Sequence, residues 1–227
     1  MSTLKTLRED IQADLDLEDE VFISDADINR WINQGIRSAE RIIHGLYEDY
    51  FLSNTDTSIT TASNLVSYPS DIFANKIRKI IYKNSSKEVQ EVRRVTNLVA
   101  ATDRDVNETG ANPTLEWSPT NDSVNGKKIR LFPSASRDGT LSIWYIRNAL
   151  QLSADDSECD IDEFEVYVKQ YTKVQCYLKE GDPRADSAKA LEQQYKVEMI
   201  EVLTNMSPDN NDEIPLDMSF YDDSIGE

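Results

Sequence analysis

The residues most able to do chemistry in this chain are one histidine and two cysteines. His44 falls on a long amphipathic pattern with no paired nucleophile, which is typical of a structural or surface histidine. Cys159 precedes a predicted helix, whose dipole favours a thiolate, but its neighbours Glu158 and Asp160 would raise its pKa. Cys176 lies on an apolar helix face and is expected in the core. These residues predict neither a catalytic dyad nor a disulfide framework.

Two acidic runs, residues 16–20 and 155–162, carry oxygen ligands of the kind that hard cations prefer. Neither run has the spacing and the glycine of a calcium loop, and such runs are usually solvated or stand at helix starts. The seven glycines are scattered, so no phosphate-binding loop is predicted. We therefore expect no catalytic residue, no metal and no cofactor.

The charge of the chain is negative and unevenly distributed. The net charge is −18, which disfavours simple DNA binding. From Lys76 to Leu150 there are 13 basic and 8 acidic residues, a net of +5, so the remainder carries 11 basic and 34 acidic residues, a net of −23. This basic middle either contacts the acidic ends of another subunit or is a solvated face of different sign, and the sequence leaves both interpretations open.

The composition indicates a globular chain outside the membrane. Its 227 residues suffice for one domain with a core, and 39% hydrophobic with 29% charged residues is an ordinary balance. No run approaches the roughly 18 apolar residues of a membrane span. The first residues lack the apolar core of a signal peptide, so we expect the protein in the cytoplasm where it is made.

Amphipathic patterns predict two helices near the start of the chain. Leu4, Leu7, Ile11 and Leu15 have helical spacing. Ser24 and Asp27 resemble a capping box at the start of a helix of about 20 residues. Its apolar stripe comprises Ile28, Trp31, Ile32, Gly35, Ile36, Ala39, Ile42, Ile43 and Leu46.

Two further helices are predicted between residues 160 and 205. Asp160 is expected to cap the first with Glu163, Gly181 to end it, and Asp182-Pro183 to start the second. Because the apolar faces of all four helices must be buried, we expect three residues of the long helix to pack on the C-terminal helices. These are Trp31, Ile32 and Ile36, and their expected partners are Tyr171, Leu191 or Tyr195.

Residues 55–150 are predicted to form a β-rich lobe. Short runs with strand-like composition or alternation occur at residues 65–68, 77–82, 89–95, 115–117, 128–132 and 141–146. Asn125-Gly126 and Asp138-Gly139 are typical hairpin turns. The sequence thus predicts an antiparallel region of roughly five or six strands. Residues 53–64, rich in Thr, Ser and Asn, show no clear element.

Residues 206–227 read as an extended acidic tail, because they contain seven acidic residues and no Lys or Arg. Every second position from 214 to 220 is nevertheless apolar, which would place these side chains on one side of a strand. We therefore predict a partner-binding segment in the tail, formed by Ile214, Leu216, Met218, Phe220 and Tyr221.

Together these patterns predict an α+β fold. Helices from residues 1–50 and 160–205 form a bundle, the small antiparallel β region is inserted between them, and the extended acidic C-terminal tail follows. We assign residues 1–205 to a single domain and 206–227 to the tail.

The order of motifs resembles that of the head-to-tail adaptor proteins of tailed phages, also called connector, ring or neck proteins. The resemblance covers roughly residues 4–200. It is carried by FISDADINRWINQGIRSAERI with its core Asn29-Arg30-Trp31-Ile32-Asn33, by SYPSDIFANKIRKI, by KIRLFPSASRDGTLSIWYIRNALQL, which is similar to the hairpin of the family, and by DIDEFEVYVKQYTKVQCYLKEGDPRADSAKALEQQY, which is similar to its closing helix pair.

The resemblance implies a structural, non-enzymatic virion protein whose subunits form a ring, usually a dodecamer, beneath the portal protein. Its implied partners are the portal, neighbouring adaptor subunits and a tail-side neck or tail protein. DNA would pass through the channel without specific binding. Assembly in the bacterial host cytoplasm and a place in the neck of the virion follow from the same resemblance.

The sequence is also compatible with other classes of function. The chain could be another neck or tail-completion structural protein. An acidic metal-dependent hydrolase and a monomeric acidic adaptor of the host are further alternatives. Assembly state and metal content distinguish these classes.

Overall fold

A computed structural model describes residues 2–16, 22–60, 64–84, 89–99, 101–102, 114–122, 126–133 and 138–206. Its contacts divide the chain into two compact units. The helical unit comprises the residues up to Tyr47 and those from Leu152 onward, and the β unit comprises Glu48–Gln151. The predicted tail segment lies outside the described residues.

Four α-helices of the described chain belong to the helical unit. They are α1 Leu4–Leu15, α2 Asp25–Leu46, α3 Glu165–Glu180 and α4 Ala185–Met206. A 3₁₀ turn, Asp162–Phe164, leads into α3. The predicted helices at both ends of the chain are therefore confirmed.

Helix α2 begins as its sequence predicts. The Ser24 hydroxyl accepts a hydrogen bond from the Asp27 amide at 3.3 Å, and the Asp27 carboxylate accepts one from the Ser24 amide at 3.4 Å. This reciprocal capping satisfies donors that the first turn of a helix leaves without partners. Most of the predicted apolar stripe is buried, although Leu46 is exposed.

The ends of α3 differ in how well the sequence predicts them. The expected cap at Asp160 is wrong, because the 3₁₀ turn comes first and α3 starts at Glu165 without a side-chain cap. Gly181 ends α3 as predicted, with a φ of 70°, a conformation that glycine adopts without steric cost. The Asp182 carboxylate accepts from the Arg184 amide at 2.7 Å, and α4 starts at Ala185, two residues beyond the predicted proline.

Helices α2 and α3 pack closely at Gly35. A Cβ at this position would lie 3.2 Å from Val168 Cγ1 and 3.3 Å from Tyr171 Cδ1, so only glycine allows this approach without displacement. Nearby, the Ser38 and Tyr167 hydroxyls are 2.8 Å apart. The predicted burial of Trp31, Ile32 and Ile36 is confirmed. Leu191, one of the three alternative partners expected for these residues, is partly exposed.

Polar contacts attach α1 and the segment after the β unit to this pair. The Arg8 guanidinium donates to Asp155 at 2.9 Å and to Asn29 at 3.3 Å. The Asn33 side chain donates to the Leu152 carbonyl at 2.9 Å and accepts from the Leu152 amide at 2.8 Å. Gln170 of α3 donates to the Ala188 carbonyl of α4 at 2.9 Å. Residues from both ends of the chain thus hold the helical unit together.

The described part of the β unit contains eight strands after a 3₁₀ turn at Glu48–Phe51. They are β1 Leu52–Ile59, β2 Leu65–Ser67, β3 Ile72–Asn84, β4 Val89–Glu91, β5 Arg93–Arg94, β6 Glu116–Asp122, β7 Gly126–Phe132 and β8 Gly139–Arg147. One sheet has the order β1-β8-β3-β4 and the other β2-β7-β6-β5. Apolar side chains of both sheets share one core.

The strand pairing corrects the predicted β region in two respects. It comprises two sheets and more strands than expected, and its β5–β6 pair is parallel whereas the other pairs are antiparallel. The hairpin predicted at Asp138-Gly139 is wrong, because β7 pairs with β2 and β6 while β8 pairs with β1 and β3. The α+β class is confirmed.

Candidate functional site

Within the described ranges, the most reactive side chains of the chain do not come together as a catalytic group. His44 is buried on α2, with its Nε2 3.7 Å from the Glu40 carboxylate. Burial raises the pKa of the Cys159 thiol to about 11 and that of Cys176 to about 12. Both cysteines are therefore buried, protonated thiols near neutral pH. Among the described residues, no three acidic, His or Cys side chains are grouped as metal ligands.

The predicted partner-binding residues belong to the acidic tail. Ile214, Leu216, Met218, Phe220 and Tyr221 all lie beyond residue 206, outside the described residues. The described segment before them is α4, which ends at Met206.

One concave surface lies in the β unit. It is a cleft of about 950 Å³ lined by parts of β3 and β4 from one sheet and of β5, β6 and β7 from the other. Six basic and two acidic side chains line it, a net of +4 in a chain of net −18. We call this surface the basic cleft and define it by Lys76, Arg78, Lys79, Arg93, Arg94 and Lys127.

The basic side chains of the cleft fall into two groups. Lys76 and Arg78 form ion pairs with Glu48, and Lys79 lies 3.9 Å from the Glu91 carboxylate. The second group, Arg93, Arg94 and Lys127, is exposed, and no carboxylate of the described residues pairs with it. The uncompensated charge of the cleft therefore resides in this second group.

Apolar groups form the floor of the basic cleft. Ile80, Val92 and Trp117 line it and belong to the buried core. The Arg94 guanidinium stands 5.7 Å from the centroid of the Trp117 ring, which fits a cation–π contact. Burial raises the pKa of Tyr68, another lining residue, while the charge of Arg94 opposes that rise. The cleft thus offers positive charge above an apolar base.

The β3 backbone is irregular where it borders the cleft. Ala74 and Asn75 both line the cleft and have φ values of 48° and 58°. Residues other than glycine rarely adopt this backbone conformation. The pairing of β3 with β8 shifts register between Ile72 and Ile77 and again between Ile77 and Lys79. Irregularities of this kind redirect side chains and interrupt strand pairing, and they often accompany functional surfaces.

The sequence indicates a positively charged region in the middle of the chain but does not identify the residues that line the cleft. The excess of basic residues between Lys76 and Leu150 was the available signal. Arg93, Arg94 and Lys127 are brought together by the pairing of β5 with β6 and of β6 with β7. That pairing includes a parallel contact which the strand pattern alone did not predict.

The fold and its surfaces define the class of protein to which the chain belongs. The chain is an α+β protein in which the helical unit is interrupted in sequence by a two-sheet β unit with a basic cleft. In the described part of the chain, no helix is long and apolar enough to cross a membrane.

The chain belongs to the SU10 adaptor protein family, whose model matches residues 2–213. No curated protein matches it. The family membership confirms the resemblance to the tailed-phage adaptors and identifies the chain as a phage structural protein of the adaptor or connector type. The family is one of structural phage adaptors.

Proposed function

We propose that this chain is the head-to-tail adaptor subunit of a tailed phage, and that copies of it form a ring beneath the portal protein. The observation that carries the proposal is the family match over residues 2–213, nearly the whole chain. The ring has twelve copies, each contacting its neighbours, the portal and a tail-side neck or tail protein. Subunits are made in the host cytoplasm and remain in the neck of the virion.

The charge of the subunit suits a channel for DNA. A strongly basic lining would hold the phosphate backbone by releasing its counterions, and the bound DNA would then move slowly. With a net charge of −18, the subunit as a whole repels DNA. DNA therefore passes through the ring without specific binding.

Native mass spectrometry of the chain alone and with its portal tests this function. We expect a monomer or weak oligomer alone, and twelve copies on each portal in the mixture. An electron micrograph of the mixture should show a ring on one face of the portal. A chain that never binds the portal but binds a tail component would instead be a tail-completion protein, and a stoichiometric bound metal would favour the hydrolase alternative.

The tail contributes an anchor in this proposal. Residues 1–205 form the adaptor domain, and residues 206–227 form a separate acidic tail. Its segment Ile214, Leu216, Met218, Phe220 and Tyr221 docks in extended form on the portal or on a neighbouring subunit. Backbone hydrogen bonds supply affinity in such strand addition, and pockets for alternate side chains supply specificity. Pro215 fits at the beginning of the added strand, where a backbone donor is not required.

Three variants test the anchor. Deletion of residues 212–227, Leu216→Asp and Phe220→Asp should each weaken assembly on the portal about tenfold or more, which corresponds to about 1.4 kcal/mol. Ser219→Asp is the matched control, because it adds the same charge on the opposite side of the extended segment. Assembly of all three variants at the level of the intact protein would show that the tail is not an anchor.

A further inference from the structure

We propose that the basic cleft of one subunit binds the part of the acidic tail that follows α4, residues 207–227, of a second copy of the chain. This inference rests on the proposed function, in which copies stand side by side in a ring. It narrows the partner of the tail from the portal or a neighbour to the neighbour alone. It also gives the basic cleft a ligand, namely an acidic peptide with alternating apolar residues.

Charge complementarity is the first argument. The tail contains seven acidic residues and no basic one, whereas the cleft has a net charge of +4. Arg93, Arg94 and Lys127 are exposed and have no carboxylate partner among the described residues. Carboxylates of the tail would supply such partners, and Arg can bind a carboxylate through two parallel hydrogen bonds.

The apolar floor and the open strand edges supply the second argument. β4 pairs with β3 only at Ile81–Lys83, so in the described chain β3 residues 77–80 have no strand partner on that side. Beyond β4, the Val92 amide donates a hydrogen bond of 2.9 Å to the Ile80 carbonyl of β3. An extended peptide can add along such an edge. Its alternate apolar side chains would face the floor, while its carboxylates face the basic rim.

The opposite wall of the cleft is less suited to strand addition. β5 pairs with β6 only at Glu116 and Trp117, which leaves the following β6 residues open on that side in the described chain. Pro119 is among them and has no backbone N–H to donate. The tail backbone is therefore assigned to the edge of β3.

The tail is long enough to extend far beyond the helix that precedes it. The tail follows Met206 at the end of α4, and 21 extended residues span at most about 70 Å. A tail and a cleft are two different surfaces of one chain, so their contact is heterologous and can close a ring. An acidic peptide is favoured over DNA because the chain as a whole repels phosphate backbones.

Photo-cross-linking of the full chain tests the inference without a portal. A benzoylphenylalanine replaces Phe220, an aromatic residue on the side of the extended segment that would face the floor, and ¹⁴N and ¹⁵N preparations are mixed at high concentration before irradiation. Mass spectrometry should find the benzoylphenylalanine at position 220 linked to peptides of the cleft, and the linked pairs should include pairs of one ¹⁴N and one ¹⁵N peptide, which only links between two subunits produce. An excess of a synthetic peptide of residues 207–227 should suppress the links at least fivefold, and a scrambled peptide of the same composition should not.

Charge reversal provides the matched comparison. The variant Arg93→Glu, Arg94→Glu, Lys127→Glu should lose at least four-fifths of the links. The control variant Lys5→Glu, Arg41→Glu, Lys189→Glu makes the same change of charge outside the cleft and should retain them. If the reversed variant does not fold, Arg93→Gln with Lys127→Gln should still halve the yield.

Three results would overturn the inference. They are links spread over the whole surface, links only within one isotope, and tighter binding of a 20-base-pair DNA duplex that the reversed variant loses. None of them bears on portal binding, which the mass measurement tests separately. A ring that forms on the portal without tail-to-cleft links would leave the proposed function intact and remove only this inference.

Discussion

At the scale of single residues, Gly139 lies in the β unit where no larger residue fits. A Cβ there would lie 2.4 Å from Tyr82 Cε2 and 2.6 Å from the Lys83 carbonyl oxygen. The Tyr82 hydroxyl also donates to the Asp138 carbonyl at 3.1 Å, which holds the ring over this backbone. The glycine predicted to form a hairpin turn is therefore required for packing at the first residue of β8.

Gly139→Ala is expected to lower the free energy of unfolding by about 1–3 kcal/mol, as is typical of an overpacked site. Gly45→Ala is the control, because a Cβ at Gly45 meets nothing within 4 Å and the position is helical. This control should leave stability unchanged or raise it by about 0.5–1 kcal/mol. Urea denaturation of both variants measures the difference, and equal stability of the two would contradict the packing argument.

Ile36 of α2 is fully buried in the helical unit, on the turn next to the close contact between Gly35 and α3. Ile36→Ala should destabilise the protein by about 2–5 kcal/mol, because it removes buried methyl groups and leaves a cavity. Leu46→Ala removes a similar volume from the same helix, but Leu46 is 41% exposed. The decrease in stability caused by Leu46→Ala should be less than half as large as that caused by Ile36→Ala. Calorimetric melting of both variants provides the comparison.

At the scale of elements, Asp27 connects the start of α2 to the end of α3. Its carboxylate accepts from Lys179 at 2.8 Å and belongs to the capping box with Ser24. The hydrogen bond from Lys179, followed by that from Ser24, holds the pKa of Asp27 well below its ordinary value of 3.8. The charged form of Asp27 thus favours the folded state.

The sign of this effect gives a pH prediction. Because the pKa of Asp27 is lower in the folded protein, its contribution to stability is complete above the unfolded value and is lost as the pH falls below it. Asp27→Asn should therefore be less stable than the wild type at pH 7, and the difference should shrink below about pH 4. Asp186→Asn, on the first turn of α4, is the control, and urea denaturation across this pH range checks the trend.

The elements that sequence analysis predicted correctly are those with a strong periodic pattern and a local start signal. Helix α2 has both, in its apolar stripe and in the Ser24 cap. Strand β1 was missed because LSNTDTSI contains few apolar residues, and its pairing with β8 at the edge of the sheet supplies the order that its own composition does not. The start of α3 was misplaced because a 3₁₀ turn intervenes where the sequence resembles a capping box.

The basic cleft illustrates a different limit of sequence analysis. Its charge is visible in the sequence as a local excess of Lys and Arg. Its shape depends on which strands pair, because the β5–β6 and β6–β7 pairs place Arg94 and Lys127 in the lining of one cleft although they are distant in sequence. Long-range pairing of short strands has little local signal, so the residues of such a surface cannot be predicted from composition alone.

For the chain as a whole, the net negative charge lies entirely outside the β unit. Glu48–Gln151 contains 13 basic and 12 acidic residues, a net of +1, so the remaining residues hold 11 and 30, a net of −19. This distribution of charge has two opposing effects on the association of subunits. Whole subunits repel one another, whereas the tail and the basic cleft attract.

These two effects respond to salt with opposite signs. Added salt screens repulsion between subunits and thereby favours their association, but it also weakens the attraction between the tail and the cleft. The binding of a synthetic tail peptide to the protein should therefore weaken as salt rises. In free subunits the net charge of −18 should dominate at low salt, because it acts on every approach of two copies.

We therefore expect the free protein to sediment as a monomer or weak oligomer at low salt, with a higher average mass at moderate salt. The variant Asp156→Asn, Glu158→Gln, Asp186→Asn reduces the net charge to −15 at exposed positions and should associate at lower salt than the wild type. Sedimentation velocity at a series of salt concentrations measures both. A stable dodecamer at low salt without a portal would contradict this prediction, because its subunit contacts would then have to exceed the repulsion without a template.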